Sequence, residues 1–307
     1  MERIPYLGHT IFKWQVGALV LSRPARNGRA PDETGTSRSA MVACATSSTG
    51  PRWRTSTTSP ACAGGNPILF PFSGRSYDRG EIHHWRADDG VRRADADARP
   101  RRQGRFRITR LDEGGFSAQF LPDEAAKLAY PYDYEFVVSY RFDPVALFVE
   151  LQLTNHGKTP IPWSAGHHFY FTLPWSAGRT RRDYVLETTA TKHLQRDDQG
   201  LLRDGPRVTN REHLDNPSLI DLIHTGLRRD IFGVIDSVNG TRLLFRTSMA
   251  GSPTRDLAVV TWTQDEKSPF YCVEPWMGPP NAPETKTGLH FVAPGQTQKF
   301  YVEISLG

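Results

Sequence analysis

From Arg105 onward the chain is written in short runs of β-forming residues, and no stretch of it carries a helical period over three turns. Arg105-Phe106-Arg107-Ile108-Thr109, Tyr134 to Tyr140 and Leu147 to Leu153 alternate or cluster aromatic and β-branched side chains, which suits a pleated strand whose successive residues face opposite ways. Asn155-His156-Gly157 marks a turn. Further strands are expected at Arg242 to Arg246, Leu257 to Trp262, Phe270 to Glu274 and Lys299 to Ile304, separated by clusters of Pro, Gly, Asn and Asp. Many strands at short intervals with no alternating helices point to an all-β fold, a large antiparallel sandwich. At 307 residues a single domain spanning 1–307 can bury such a core, and no internal repeat divides it.

Composition removes several classes of function. With 38% hydrophobic and 23% charged residues the chain is neither disordered by charge nor apolar enough for a membrane protein, and no apolar run approaches a spanning length. The apolar patch Val16 to Leu21 has no basic stretch before it and no small-residue cleavage site after it, so a cytoplasmic protein is expected. The net charge of +5 comes from arginines dense in two windows, Arg23 to Arg54 and Arg92 to Arg110, and not from a basic face interleaved with aromatics; no nucleic-acid partner is expected. Cys44, Cys62 and Cys272 are too few and too scattered for a disulfide framework or a zinc site, so unpaired thiols and no metal are expected.

Two stretches carry chemistry. Gly166-His167-His168-Phe169-Tyr170-Phe171 supplies an imidazole and Tyr271-Cys272-Val273-Glu274-Pro275-Trp276 a carboxylate, each in an aromatic, strand-like surround. These are the group types that move protons on and off a sugar's anomeric centre. His168 also fits as a core histidine among its aromatic neighbours, and His167, next to it on a strand, faces the other way. Glu274 could be an ordinary strand-end acid, although a carboxylate in so apolar a string is costly to bury without purpose. His83-His84 suits a packed or solvated pair better than a metal site, and Trp163, Trp175 and Trp276 fit either a sugar cleft or the core.

In order and spacing these stretches resemble the aldose 1-epimerase (galactose mutarotase-like) family. Asn66-Pro67-Ile68-Leu69-Phe70-Pro71-Phe72-Ser73-Gly74-Arg75 is similar to that family's Asn-Pro…Gly-Arg sugar-binding stretch, His168-Phe169-Tyr170-Phe171 to its His-x-Tyr-Phe motif, and Glu274-Pro275-Trp276 to the block holding its catalytic glutamate. The resemblance implies a β-supersandwich, no cofactor, a small sugar as the partner, and interconversion of the α and β anomers of an aldose. It implies Glu274 as base and His168 as acid, with Arg75 and Asn66 binding substrate. Asp221, ahead of its rival Asp230, is the acidic candidate for holding sugar hydroxyls. An inactive carbohydrate-binding homologue is the alternative.

Two windows, 19–63 and 93–102, depart from this pattern. The first is packed with Ser, Thr, Arg, Ala and Pro and has no period of either kind. The second reads Arg93-Ala94-Asp95-Ala96-Asp97-Ala98-Arg99-Pro100-Arg101-Arg102 where the resemblance places a second histidine in a His-Gly motif. Permitted codons for Arg93 onward, read one base on, spell Arg-Met-Pro-Met-His-Gly-Leu-Ala, and the same shift turns Gly35 to Ala63 into strand-like text. The expectation is that both windows are out-of-frame translation and that activity is impaired; the gene's own codons test it.

Overall fold

The computed structural model describes residues 65–94, 104–250 and 255–307 in full; of residue 254 and of the strands at 2–6, 9–16, 19–25, 36–37 and 44–45 it describes the backbone alone. Two antiparallel sheets dominate. The larger has ten strands, in the order Arg211–His213, Tyr184–Glu187, Ile231–Asp236, Arg242–Met249, Thr297–Leu306, Ala146–Asn155, Tyr134–Phe142, Gly115–Pro122, Gly104–Asp112 and Thr36–Ser37. The smaller has eight: Leu202–Asp204, Lys192–Arg196, Leu222–Thr225, Ala258–Trp262, Phe270–Trp276, Gly166–His167 and Ile68–Leu69 in order, with Phe169–Thr172 also paired to Phe270–Trp276. This is the expected all-β, antiparallel supersandwich. Among the described residues the longer of the two α-helices is Glu124–Ala129, and no helix is long and apolar enough to cross a membrane.

Alternation explains the large sheet. In Ala146–Asn155, Leu147, Val149, Leu151 and Leu153 are buried, while Phe148, Glu150, Gln152 and Thr154 face partly outward. The inward row joins residues of the smaller sheet, such as Phe169, Phe171, Val259 and Val273, in one hydrophobic core. The smaller sheet is different, because Ala258–Trp262 and Phe270–Trp276 are buried at nearly every position. A strand covered on both faces loses its alternation. Its second face carries a separate apolar cluster of Leu69, Ile223, Ala258, Val260 and Trp276, with Leu194 and Leu202 packed on it. The expected strand ending at Glu274 runs on through Pro275 to Trp276.

The windows 19–63 and 93–102 lie outside the described residues, apart from the strand backbones named above and Arg93 and Ala94. Those two close a ribbon, Arg92–Ala94 against His84–Arg86, and Arg93 holds Asp89 through both guanidinium nitrogens at 2.9 and 2.6 Å.

Candidate active site

Strand register brings the two proton-transfer candidates together. Gly166 pairs with Trp276 and Phe169 with Val273, so the ladder, carried through the break between the two short strands, sets His168 opposite Glu274. Cross-strand neighbours share a face and lie within side-chain reach. Val260, the partner of Glu274 on the other side, continues the row, and Trp262, Cys272 and Tyr170 form the row beside it. His167, on the alternate face, is fully buried and stacks on Phe169 and Phe300 in the inter-sheet core.

His168 Nε2 lies 3.4 Å from Glu274 Oε1, and both line a cleft of about 490 Å³ on the outer face of the smaller sheet. The imidazole stacks on Tyr170 at 4.7 Å and meets Trp262 edge-on at 5.7 Å, leaving 23% of the side chain exposed. That enclosure, with a smaller contribution from the Arg196 charge, pushes the His168 pKa down to about 4. Glu274 is 1% exposed, and burial holds its carboxyl well above the usual range; Arg196 opposes the shift and Asp221 adds to it. Burial thus weakens the hold of His168 on a proton and strengthens that of Glu274, so a proton shared by the pair in the empty cleft resides on Glu274.

Arg75 stands exposed at the cleft rim, with no ion-pair partner among the described residues. Asp221 lines the cleft in a left-handed conformation (φ +56°) at the start of its strand, and Arg196 grips it through Nε at 3.1 Å and Nη2 at 2.5 Å. Asp230, the rival, is not among the lining residues. Trp276 forms part of the floor: its Nε1 donates to the His167 carbonyl at 3.2 Å, and its ring packs so closely on Gly166 that a Cβ there would sit 2.6 Å from Trp276 Cδ1. Gly74 has φ +73°, and a Cβ on it would meet Pro280 at 2.9 Å and the same indole at 3.0 Å. The glycines of both motifs are thus needed to let the indole lie flat beneath the cleft.

Asn66 takes a different place from the one expected for a sugar ligand. Its side chain is fully buried behind the cleft, where Nδ2 donates to Tyr140 Oη at 2.8 Å and lies 3.0 Å from His167 Nδ1, while Oδ1 accepts from the His168 N–H at 3.1 Å. It fixes the His168 backbone and does not face the cleft. Of the three tryptophans, Trp163 and Trp175 are core residues and Trp276 lines the site. Trp262, Arg196, Asp197 and Asp198 also line it, although no motif marks them. The alternation Val260-Thr261-Trp262, set against Glu274, is the signal that would have found Trp262. Among the described residues one group offers three metal-ligand types within mutual reach, namely His168, Cys272 and Glu274.

Comparison with known proteins places the fold and the family. The sequence profile of the family described as aldose 1-epimerase matches residues 65–305. The chromosomal protein LacX of Lactococcus lactis subsp. lactis is 25% identical over 227 residues, 69% of this chain and 73% of that protein. A galactose mutarotase-like protein from Clostridium acetobutylicum superposes with a TM-score of 0.75 at 15% identity over 100% of this chain and 98% of its own. A galactose mutarotase related enzyme from Lactobacillus acidophilus does so with 0.74 at 16% identity over 97% of each. The structural likenesses show the fold, and the profile, spanning most of the chain, shows that it belongs to the aldose 1-epimerase family.

Proposed function

We propose that the chain interconverts the α and β anomers of an aldose by opening and reclosing the sugar ring, with Glu274 as base and His168 as acid. The observation that carries this is the 3.4 Å approach of His168 Nε2 to Glu274 Oε1 at a cleft of about 490 Å³, large enough for one sugar. Glu274 takes the proton of the anomeric hydroxyl while His168 gives one to the ring oxygen. The bond between C1 and that oxygen breaks and leaves an aldehyde. Rotation about C1–C2 presents the other face, and closure returns both protons along the reverse path. Neither transfer calls for a cofactor.

One proton on the pair is the number this cycle needs. It sits on His168 while the ring is closed and on Glu274 while it is open. Burial favours the second arrangement, and sugar hydroxyls donating to the Glu274 carboxylate favour the first. Trp276 and Trp262 offer apolar surface to the sugar's C–H faces, Arg75 donates to hydroxyls through its unpaired guanidinium, and Asp221, held by Arg196, accepts from them.

A second reading, a carbohydrate-binding homologue with little turnover, is favoured by the absence of a histidine from the window 93–102. Polarimetry of a freshly dissolved single anomer, run beside a sugar-binding titration, separates the two. Accelerated exchange supports the isomerase, binding without exchange supports the second reading, and neither response rules out both.

A further inference from the structure

Cys272 has no part in the chemistry above, yet it sits two residues before Glu274 on the same face of strand Phe270–Trp276. It is fully buried between its cross-strand partners Tyr170 and Trp262, and it forms no disulfide. One imidazole nitrogen of His168, the Cys272 sulfur and a Glu274 carboxylate oxygen lie within 4.8 Å of one another. Register explains the triangle: His168 is across the strand from Glu274, and Cys272 is its neighbour along it.

We propose that His168, Cys272 and Glu274 form a zinc-binding site whose occupation silences the proton-transfer pair. A nitrogen, a thiolate sulfur and a carboxylate oxygen together suit zinc, whereas calcium and magnesium require shells of oxygen. Tetrahedral zinc with bonds of about 2.0–2.3 Å places its ligand atoms roughly 3.3–3.8 Å apart. The His168 Nε2 to Glu274 Oε1 separation of 3.4 Å already meets that spacing. The widest separation in the group, at most 4.8 Å, closes by side-chain rotation of about 1 Å. Three protein ligands leave the fourth position open to the cleft, for water or a sugar hydroxyl. A zinc ion there would occupy the lone pairs through which His168 and Glu274 exchange protons, so a loaded chain cannot open the ring. This inhibitory consequence rests on the proposed isomerase function; the binding itself does not.

The test uses the full chain, stripped of metal with a chelator, titrated first with Co²⁺ and then with Zn²⁺. The expected result is one metal per chain, with a near-ultraviolet thiolate-to-cobalt band that Cys272→Ser abolishes. Outer-shell partners alone are worth 10–100-fold in metal affinity, so loss of this ligand should weaken zinc binding by about 100-fold or more. Zinc inhibition of anomer exchange should require correspondingly more metal in Cys272→Ser. A parent chain that takes up no stoichiometric metal, or a thiolate band that survives Cys272→Ser, overturns the site. Should the serine variant not fold, His168→Ala and Glu274→Gln must each lower Co²⁺ affinity at least about tenfold while keeping the band; unchanged affinity in both refutes it. Because metal uptake is read spectroscopically, a metal-free chain without exchange counts against the isomerase and leaves the zinc site standing.

Discussion

Glu274→Gln separates the cost of this site to the fold from its value to the reaction. The side chain keeps its size and loses its charge, and its amide can donate to His168 Nε2, now 3.4 Å from Glu274 Oε1. As a general base the carboxylate contributes about 10²–10⁴-fold, or about 2.7–5.5 kcal/mol of barrier, so exchange should fall by that factor. Stability should move the other way. Burial holds the folded Glu274 carboxyl above its ordinary value of 4.5, so above pH 4.5 the unfolded chain releases a proton that the folded chain keeps. The Glu274 contribution to the parent's stability therefore falls as pH rises, by about 1.36 kcal/mol for each pH unit up to the folded pKa, and this contribution is absent from the glutamine variant. Urea unfolding of both proteins over a pH series that starts at 4.5 should give a gap that widens in the variant's favour as pH rises from that value toward the folded pKa, while polarimetry shows the lost exchange. Exchange within about threefold of the parent would remove Glu274 as the base. A gap that stays flat with pH would refute the argument from burial.

Three further outcomes follow from the same geometry. The pH–rate profile should be a bell: below about 4 His168 gains a proton and the pair lacks a base, and above the raised Glu274 pKa it lacks an acid; a profile with no alkaline limb would count against a shared proton. Asn66→Ala removes the Nδ2 donor to Tyr140 Oη and one of the two acceptors of the His168 N–H, which keeps the Pro67 carbonyl at 3.0 Å, so it should cost about 1–3 kcal/mol in a denaturant titration and lower exchange with little change in sugar affinity; weaker sugar binding at full turnover would instead return Asn66 to the cleft. His167 and His224, 0% and 1% exposed, are held near pKa 3 by burial against an ordinary 6.5, so their stabilisation is complete above pH 6.5 and is lost as pH falls toward 3. Together they should remove about 2–3 kcal/mol between pH 6 and 5, and His224→Gln should flatten that slope by about half.

The strands were legible in the sequence because each half-covered strand, such as Leu147 to Leu153, records its burial as an alternation. His168 and Glu274 were legible through their motifs, and the resemblance implied that they share a site, but the geometry that joins them was not legible. They stand far apart in the chain, and only the register of Gly166 on Trp276 and Phe169 on Val273 joins them. Arg196 was invisible for a related reason: Lys192-His193-Leu194-Gln195-Arg196 looks like any exposed strand until Asp221 is set beside it. The motif that Asn66 opens points it toward the sugar, yet an asparagine beside such an apolar run is most cheaply buried when its hydrogen bonds are internal, and that is where it lies.

The site also conceals itself in the pattern of its own strands. Ala258–Trp262 and Phe270–Trp276 are nearly continuous apolar runs, and such runs mark strands covered on both faces. One cover is the large sheet, through Val259 and Val273 in the shared core. The other is the outer cluster of Leu69, Ile223, Ala258, Val260 and Trp276, of which Leu69, Val260 and Trp276 line the cleft beside Glu274, the one carboxylate carried by these two strands. An acid stranded in a doubly covered strand is expensive to the fold unless its raised proton affinity is put to use. The same apolar second face that hides the site from a pattern reading is what shifts Glu274, and it is why the stabilised glutamine variant and the lost exchange must appear together.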